Sequence, residues 1–248
     1  HFTDRRQRQM CIRDRIIIMP ERGQLFVIGT PIGNLEDITL RAISTLKNVD
    51  VILAEDTRNS KKILDAHNID TKMMSYHDHS SEKEIKKIVD LLLDGKQLAL
   101  ISDAGTPTIS DPGYGLIRDC IRNEIGIVPI PGVSSITAAM SVSGLPSDSF
   151  TFVGFLPQKK GRLKKIKDLQ KLNNTIILFE SPFRLEKTLN QLLEHLGDRT
   201  AVVGRELTKL YEEVIRGNLS DIIMHFSKSK VKGEIVIMIG KDDDRINF

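Results

Sequence analysis

The 248 residues carry 36 basic and 33 acidic side chains, a net charge of +3, and 40% are apolar, enough core for one large domain or two of ordinary size. The excess is local: residues 1–22 hold six arginines against Asp4, Asp14 and Glu21, and beyond them 30 basic residues balance 30 acidic ones, so overall charge argues for no polyanionic partner. Two cysteines, Cys11 and Cys120, argue against a disulfide framework or a zinc site, and no apolar run approaches the roughly 18 residues of a membrane span, which together point to a cytoplasmic protein with no membrane partner and no metal.

Residues 1–22 show neither helical nor strand periodicity and read as a disordered or extraneous leader, with a basic RNA-binding arm as the alternative. Leu25–Ile28 then reads as a strand running into the loop Gly29-Thr30-Pro31-Ile32-Gly33-Asn34, followed by a helix over Asp37–Asn48. Val51–Ala54 is the next strand and ends in Glu55-Asp56-Thr57-Arg58. A helix over Asn59–Ala66, a short strand over Lys72–Tyr76 and a helix opened by a Ser81/Glu84 capping box follow.

The apolar run Gln97–Ile101 opens into Ser102-Asp103-Ala104-Gly105-Thr106-Pro107-Thr108-Ile109-Ser110-Asp111-Pro112-Gly113. Glycines permit close backbone approach and prolines lower the entropy of the free loop, so this is a binding loop or an unusually long connection. Its carboxylates and hydroxyls suit a polar or cationic ligand better than a polyphosphate, which would want lysine or arginine beside glycine. A helix to Asn123, a strand over Ile125–Ile130 and the loop Pro131-Gly132-Val133-Ser134-Ser135 come next, with the two serines where free helix N–H groups are expected.

A small-residue helix through Ala138-Ala139-Met140 ends near the composition break Gly144-Leu145-Pro146. Beyond it Phe150–Phe155 reads as a strand, Gly161 opens a basic helix, and Thr175–Phe179 is a buried strand. Ser181 then caps, and Pro182 begins, a helix over Phe183–Leu196. Ala201–Val203 and Glu213–Ile215 read as strands, Leu219–Phe226 as a short helix and Glu234–Ile239 as the closing strand.

Alternating strands and helices predict an α/β fold, mainly parallel in its first half. We divide it into a leader 1–22, an N-terminal α/β domain 23–132, a C-terminal α/β domain 133–241 and a tail 242–248. Glu55-Asp56, Ser102-Asp103, Glu180-Ser181 and Arg205-Glu206 all stand where strands end, the edge at which open α/β sheets bind ligands, and are expected to line one cleft between the halves.

Dinucleotide, P-loop and nucleophile-elbow patterns are absent. His77-Asp78-His79 reads as a polar turn, with metal ligation the weaker alternative. Lys159-Lys160-Gly161-Arg162-Leu163-Lys164-Lys165-Ile166-Lys167 is either a phosphate-contacting patch or a solvated helix face.

Taken together, Val27-Ile28-Gly29-Thr30-Pro31-Ile32-Gly33-Asn34-Leu35, Ala54-Glu55-Asp56-Thr57-Arg58 and the Ser102–Gly113 loop resemble the tetrapyrrole methylase superfamily, and most closely its branch acting on small-subunit ribosomal RNA. Pro131 to Ser135, Phe179-Glu180-Ser181-Pro182-Phe183-Arg184 and Arg205-Glu206-Leu207-Thr208-Lys209 extend the likeness in the same order, over about Gln24–Gly240. The resemblance implies a two-domain fold with S-adenosyl-L-methionine in the cleft between domains, a homodimer, and methylation of a cytidine ribose 2′-hydroxyl in the decoding region of 16S rRNA in the 30S subunit. It implies cofactor contacts from Gly29, Thr30 and Pro31, from Asp103, Gly105, Thr106 and Pro107, from Ser134 and Ser135, and from Ser181 and Pro182. Phe155-Leu156 and Gly233-Glu234 are further contacts it suggests.

A ribose hydroxyl is a poor nucleophile, so a base is expected; Glu55 or Asp56 takes that role or orients the hydroxyl, with Arg58 on the RNA backbone. A salt-bridged turn is the alternative for these three. Two other readings stay open at this point: a methylase of a tetrapyrrole or other small molecule, and a non-catalytic RNA-binding module with a vestigial cleft.

Overall fold

The computed structural model describes residues 22–77, 80–228 and 230–243. The first half alternates β1 (Gln24–Ile28), α1 (Leu40–Asn48), β2 (Val51–Ala54), α2 (Thr57–Ala66), β3 (Met73–Ser75), α3 (Glu82–Leu93), β4 (Leu98–Ile101), α4 (Tyr114–Arg122) and β5 (Gly126–Ile130). Its five strands are all parallel, in the order β3-β2-β4-β1-β5. Val51–Ala54 and Leu98–Ile101 are buried at every position, as unbroken apolar runs must be when helices cover both faces. Pro129 is tolerated in β5 because that strand lies at the sheet edge.

The covering helices divide by face. Ala42 and Leu46 of α1 and Ile63 and Leu64 of α2 pack with Ile28, Ile52 and Ala99. Ile88 and Leu92 of α3 and Leu116 and Cys120 of α4 pack with Leu25, Leu53, Leu98 and Leu100 on the other face. Adjacent strands β1 and β4 therefore send their connections to opposite faces, and the loops after them part to leave a crevice at the carboxyl edge of the sheet.

The second half comprises α5 (Ser135–Ser143), β6 (Phe150–Phe155), α6 (Arg162–Leu169), β7 (Thr175–Glu180), α7 (Leu185–Leu196), β8 (Thr200–Arg205), β9 (Glu213–Asn218), α8 (Leu219–Phe226) and β10 (Ile235–Ile239). Its sheet runs β6-β7-β10-β8-β9 and is mixed: β6 and β7 are parallel, while β10 is antiparallel to both its neighbours. Helices α6, α7 and α8 cover one face through Ile166, Leu189, Leu192 and Ile222. On the other face Ile136, Ala139 and Met140 of α5 pack against Ile177, Val202 and Met238, and Ile32, from the loop after β1, joins the same cluster. That shared apolar cluster brings the carboxyl edge of the parallel sheet against the face of the mixed one.

Several predicted ends move for local reasons. The helix expected from Asp37 is a short 3-10 turn, Leu35–Asp37, and then α1, because the Thr39 hydroxyl accepts from Ala42 N (3.1 Å) and starts the helix there. Helix α2 begins earlier than expected, at Thr57, because Asp56 is its N-cap. Ser181 does not cap α7: Ser181 and Pro182 lie in a turn closed by Arg184 N donating to the Ser181 carbonyl, and the helix begins at Leu185. The Ser81/Glu84 capping box of α3 forms as read. Residues 1–21 of the leader, and Asp78 and His79 of the histidine turn, lie outside the described residues. Arg22 does not float free: its guanidinium donates to the Asn123 carbonyl (2.7 Å) and pairs with Glu124.

Candidate functional site

The walls of the site are the loops that leave β1, β2, β4 and β5 together with the carboxyl end of β7. Two of these loops touch backbone to backbone. A Cβ on Gly29 would lie 2.8 Å from Gly132 Cα, so only paired glycines let the exits of β1 and β5 meet. Thr30 and Gly105 exchange both backbone hydrogen bonds (2.8 and 3.1 Å) in an isolated antiparallel bridge. The buried Thr30 hydroxyl adds contacts to the Ser102 and Gly105 carbonyls, 3.3 Å each.

The long loop after β4 is held at both ends. Asp103 Oδ1 accepts from Asp56 N (3.0 Å) and Oδ2 from Asn59 Nδ2 (3.1 Å), tying the loop to the start of α2. Thr106 Oγ1 donates to the Val133 carbonyl (3.1 Å), tying it to the exit of β5. Between these anchors Thr108 and Ser110 take φ values of 74° and 63°, which non-glycine residues adopt at a cost. The constrained turn carries Ile109, Ser110 and Asp111 into the space facing the second sheet. There the bulge at Gly154 (φ 70°) in β6 leaves room for Ser110.

The result is a cavity of about 490 Å³ between the two sheets. Of the residues singled out from the sequence, Glu55, Asp103, Gly105, Thr106, Ser134, Ser135, Ser181 and Pro182 line it. Gly29, Thr30, Pro31, Pro107, Asp56 and Arg58 are not among the lining residues; the first two fix the loops from behind. Phe155 and Phe179 contribute an aromatic wall, their rings edge-to-face at 5.7 Å. Gly233 and Glu234 line it too, Glu234 N donating to Glu206 Oε1 (2.8 Å).

The lining holds the carboxylates of Glu55, Asp103, Asp111, Glu180 and Glu234, and among the described residues no lysine, arginine or histidine lines it. This charge shows in Asp111, whose carboxyl is pushed up to about 6, first by burial and then by the nearby Glu55, against a hydrogen bond from Ser102 that pulls it down. The sequence marks Asp111 only as one negative charge in a loop; Glu55 and Glu234, which also act on it, come from distant points of the chain. Ser134 begins α5 without using its side chain as a cap, so the first N–H groups of that helix and two serine hydroxyls stand at the wall.

Glu180, by contrast, is matched. Oε1 accepts from Ser181 N (2.8 Å) and Arg184 (2.7 Å), and Oε2 from Thr188 Oγ1 (2.6 Å). Arg162 lies 3.6 Å from the same carboxylate and donates to Thr188 Oγ1 (2.6 Å), Gln191 Oε1 (2.8 Å) and the Pro157 carbonyl (3.1 Å). The basic stretch therefore divides: Arg162 is buried in this network, while Lys159, Lys160, Lys164, Lys165 and Lys167 are exposed.

Glu55 and Asp56, adjacent in sequence, have different surroundings. Glu55 lines the cavity. Asp56 caps α2 through Arg58 N (2.9 Å) and is gripped by the Arg58 guanidinium at 3.1 and 2.8 Å, a pairing that holds its carboxyl down at about 2. The salt-bridged turn is thus what the structure shows for Asp56 and Arg58. His77 contacts Ser80 at the turn before α3, and no group of three or more His, Cys, Asp or Glu among the described residues is arranged to hold a metal ion.

Residues 24–223 match the family model of the tetrapyrrole (corrin/porphyrin) methylases. The chain is 49% identical over 221 residues to a protein of Thermotoga maritima called ribosomal RNA small subunit methyltransferase I, covering 89% of this chain and all of that one. It is 45% identical to the Bacillus subtilis protein of the same name, over 92% of this chain and 78% of that one. Among solved structures, a cobalt precorrin-4 methyltransferase of cobalamin biosynthesis superposes with a TM-score of 0.62 at 22% identity, over 88% of this chain and 94% of the other. A uroporphyrin-III C-methyltransferase of Thermus thermophilus complexed with S-adenyl homocysteine gives 0.63 at 19% identity, over 88% and 97%. At those identities the structures speak for the fold.

Proposed function

The chain belongs to the tetrapyrrole methylase family, in the branch of the ribosomal RNA small subunit methyltransferases I, and from that premise we propose that it methylates a cytidine ribose 2′-hydroxyl in the decoding region of 16S rRNA. The observation that carries the chemical part of this reading is the cavity itself: an acidic, partly apolar space, with no cationic residue among its described lining, set beside the N–H groups that open α5. S-adenosyl-L-methionine, cationic at its sulfonium and amino groups, anionic at its carboxylate and apolar in its adenine, has that pattern of demands, whereas a polyphosphate cofactor would be repelled.

When bound, S-adenosyl-L-methionine would supply an electrophilic methyl carbon for in-line attack by the ribose oxygen, with S-adenosyl-L-homocysteine as the leaving group and the hydroxyl proton passing to a base of the protein. Asp111 and Asp103 would hold the cofactor's cationic groups, Ser134 and Ser135 with the start of α5 its carboxylate, and Phe155 and Phe179 its apolar part. Alignment of this kind in a dry cleft supplies roughly 7–11 kcal/mol of barrier lowering. Glu55 receives the hydroxyl proton, a contribution of about 10²–10⁴-fold. Asp56, held at about 2 by Arg58, is the weaker base; it positions Arg58, whose largely exposed guanidinium meets the RNA backbone together with the exposed lysines of α6.

Residues 23–132 and 133–241 form the two domains of this reading, which is supported by the packing of α5 on the second sheet. A homodimer working on the 30S subunit in the cytoplasm completes it; no helix among the described residues is long and apolar enough to cross a membrane. The test offers methyl-labelled S-adenosyl-L-methionine with unmodified 30S subunits or, separately, with an anionic tetrapyrrole. Label is expected in the RNA alone. Label in the tetrapyrrole alone would replace this reading with the small-molecule one, and cofactor binding without transfer to either would support the non-catalytic module.

A further inference from the structure

A second cavity, also of about 490 Å³, lies beside the first and shares a wall with it at Gly233. That wall is thin because it is glycine: Gly233 sits at φ 93°, and a Cβ there would run into the Glu206 side chain at 2.4 Å. The lining includes Arg205, Tyr211, Glu213, His225, Lys230 and Lys232. Its charges are unevenly answered. Glu213 is taken by Arg205 (2.8 Å) and His225 (2.8 Å), and Glu206 by Lys209 (2.9 Å) and Glu234 N (2.8 Å). Arg205 also donates to the Lys232 carbonyl (3.3 Å) and so holds the backbone of the lip. Among the described residues Lys230 and Lys232 have no ion-pair partner, and both are exposed. Tyr211, 69% exposed, stands at the same rim.

The acidic first cavity admits a ribose but opposes the phosphates on either side of it. A strand that delivers a nucleotide there needs cations immediately outside, and these two lysines stand one glycine away. We propose that the second cavity is a subsite for single-stranded RNA, in which Lys230 and Lys232 hold a phosphodiester flanking the target nucleotide and Tyr211 stacks on a neighbouring base. Aromatic stacking beside a cationic groove is how single strands are held without dependence on sequence. The inference rests on the reading of this chain as an RNA methyltransferase, and places part of that substrate on the C-terminal half.

The test uses the full chain and a Lys230→Gln/Lys232→Gln double variant, both positions being exposed. Methyl transfer to unmodified 30S subunits, binding of a labelled single-stranded decaribocytidylate across a salt series, and cofactor affinity are measured for each. The variant is expected to raise KM for 30S at least tenfold and to flatten the slope of log K against log salt by about 0.7, the loss of one phosphate contact. Cofactor affinity should be unchanged, and Lys230→Arg/Lys232→Arg should keep the normal slope. Unchanged KM and slope in an active wild-type background would overturn this inference alone. A parallel loss of cofactor affinity would also overturn it, by making the second cavity part of the cofactor site. Wild-type protein that neither binds nor methylates RNA would remove the RNA reading itself.

Discussion

At the scale of single residues, the main contrast is between carboxylates that look alike in sequence. Asp111 is pushed up to about 6 by burial and by Glu55, so it is neutral below that value and negative above it. An ionised Asp111 attracts a cationic ligand and a protonated one does not, so affinity for S-adenosyl-L-methionine should rise as pH rises through about 6. Titration calorimetry between pH 5 and 8 checks this, and Asp111→Asn should bind weakly with that step absent. The same sign gives the ligand-free protein a stability contribution from this group that declines as pH rises from the ordinary carboxylate range towards 6. Glu55→Gln should lower kcat by about 10²–10⁴-fold with KM for RNA little changed, whereas Asp56→Asn should act chiefly through KM and the start of α2. Steady-state kinetics on 30S subunits separates the two, and a larger kcat loss in Asp56→Asn would reverse the assignment. Glu180 is structural: Glu180→Ala leaves buried Arg162 without its carboxylate and should cost about 3–5 kcal/mol in denaturant unfolding.

At the scale of elements, what the sequence reveals follows the distance over which each signal acts. The Ser81/Glu84 box is complete within one turn of α3, and the buried runs of β2 and β4 are continuous in the chain, so both are legible. Ser181-Pro182 carries an equally good helix-start pattern, but the Glu180 carboxylate, paired with Arg162 from a distant point of the chain, also takes Ser181 N and Arg184; the helix starts at Leu185 and Ser181 and Pro182 stay at the cavity. The position of β10 between β7 and β8 has no local signal; it is set by antiparallel pairing with two strands distant in the chain. The glycine loops are legible as constrained loops at strand ends, while their division of labour is not. Gly29 and Gly132 serve loop contact, since a Cβ on Gly132 would lie 2.5 Å from the Gly29 carbonyl oxygen. Gly132→Ala should therefore destabilise the protein by about 1–3 kcal/mol and weaken cofactor binding by spreading the exits of β1 and β5. Thermal unfolding with and without cofactor measures both effects.

At the scale of the whole molecule, the two sheets do different work. The parallel sheet supplies loops at one carboxyl edge, and the mixed sheet supplies the opposing wall through β7, β10 and the aromatic pair Phe155 and Phe179. An overall charge near balance conceals a local separation: carboxylates inside the cleft, lysines on α6 and on the lip at Lys230 and Lys232 outside it. Such a charge separation suits a cationic methyl donor in the interior and a polyanionic acceptor along the rim, as the proposed reaction requires. The most direct measurement of the proposed reaction is digestion to nucleosides of 30S RNA labelled by this protein from methyl-labelled S-adenosyl-L-methionine. The label is expected to elute as 2′-O-methylcytidine; label on a base, or on the ribose of any other nucleoside, would overturn the assignment of the cytidine 2′-hydroxyl as acceptor.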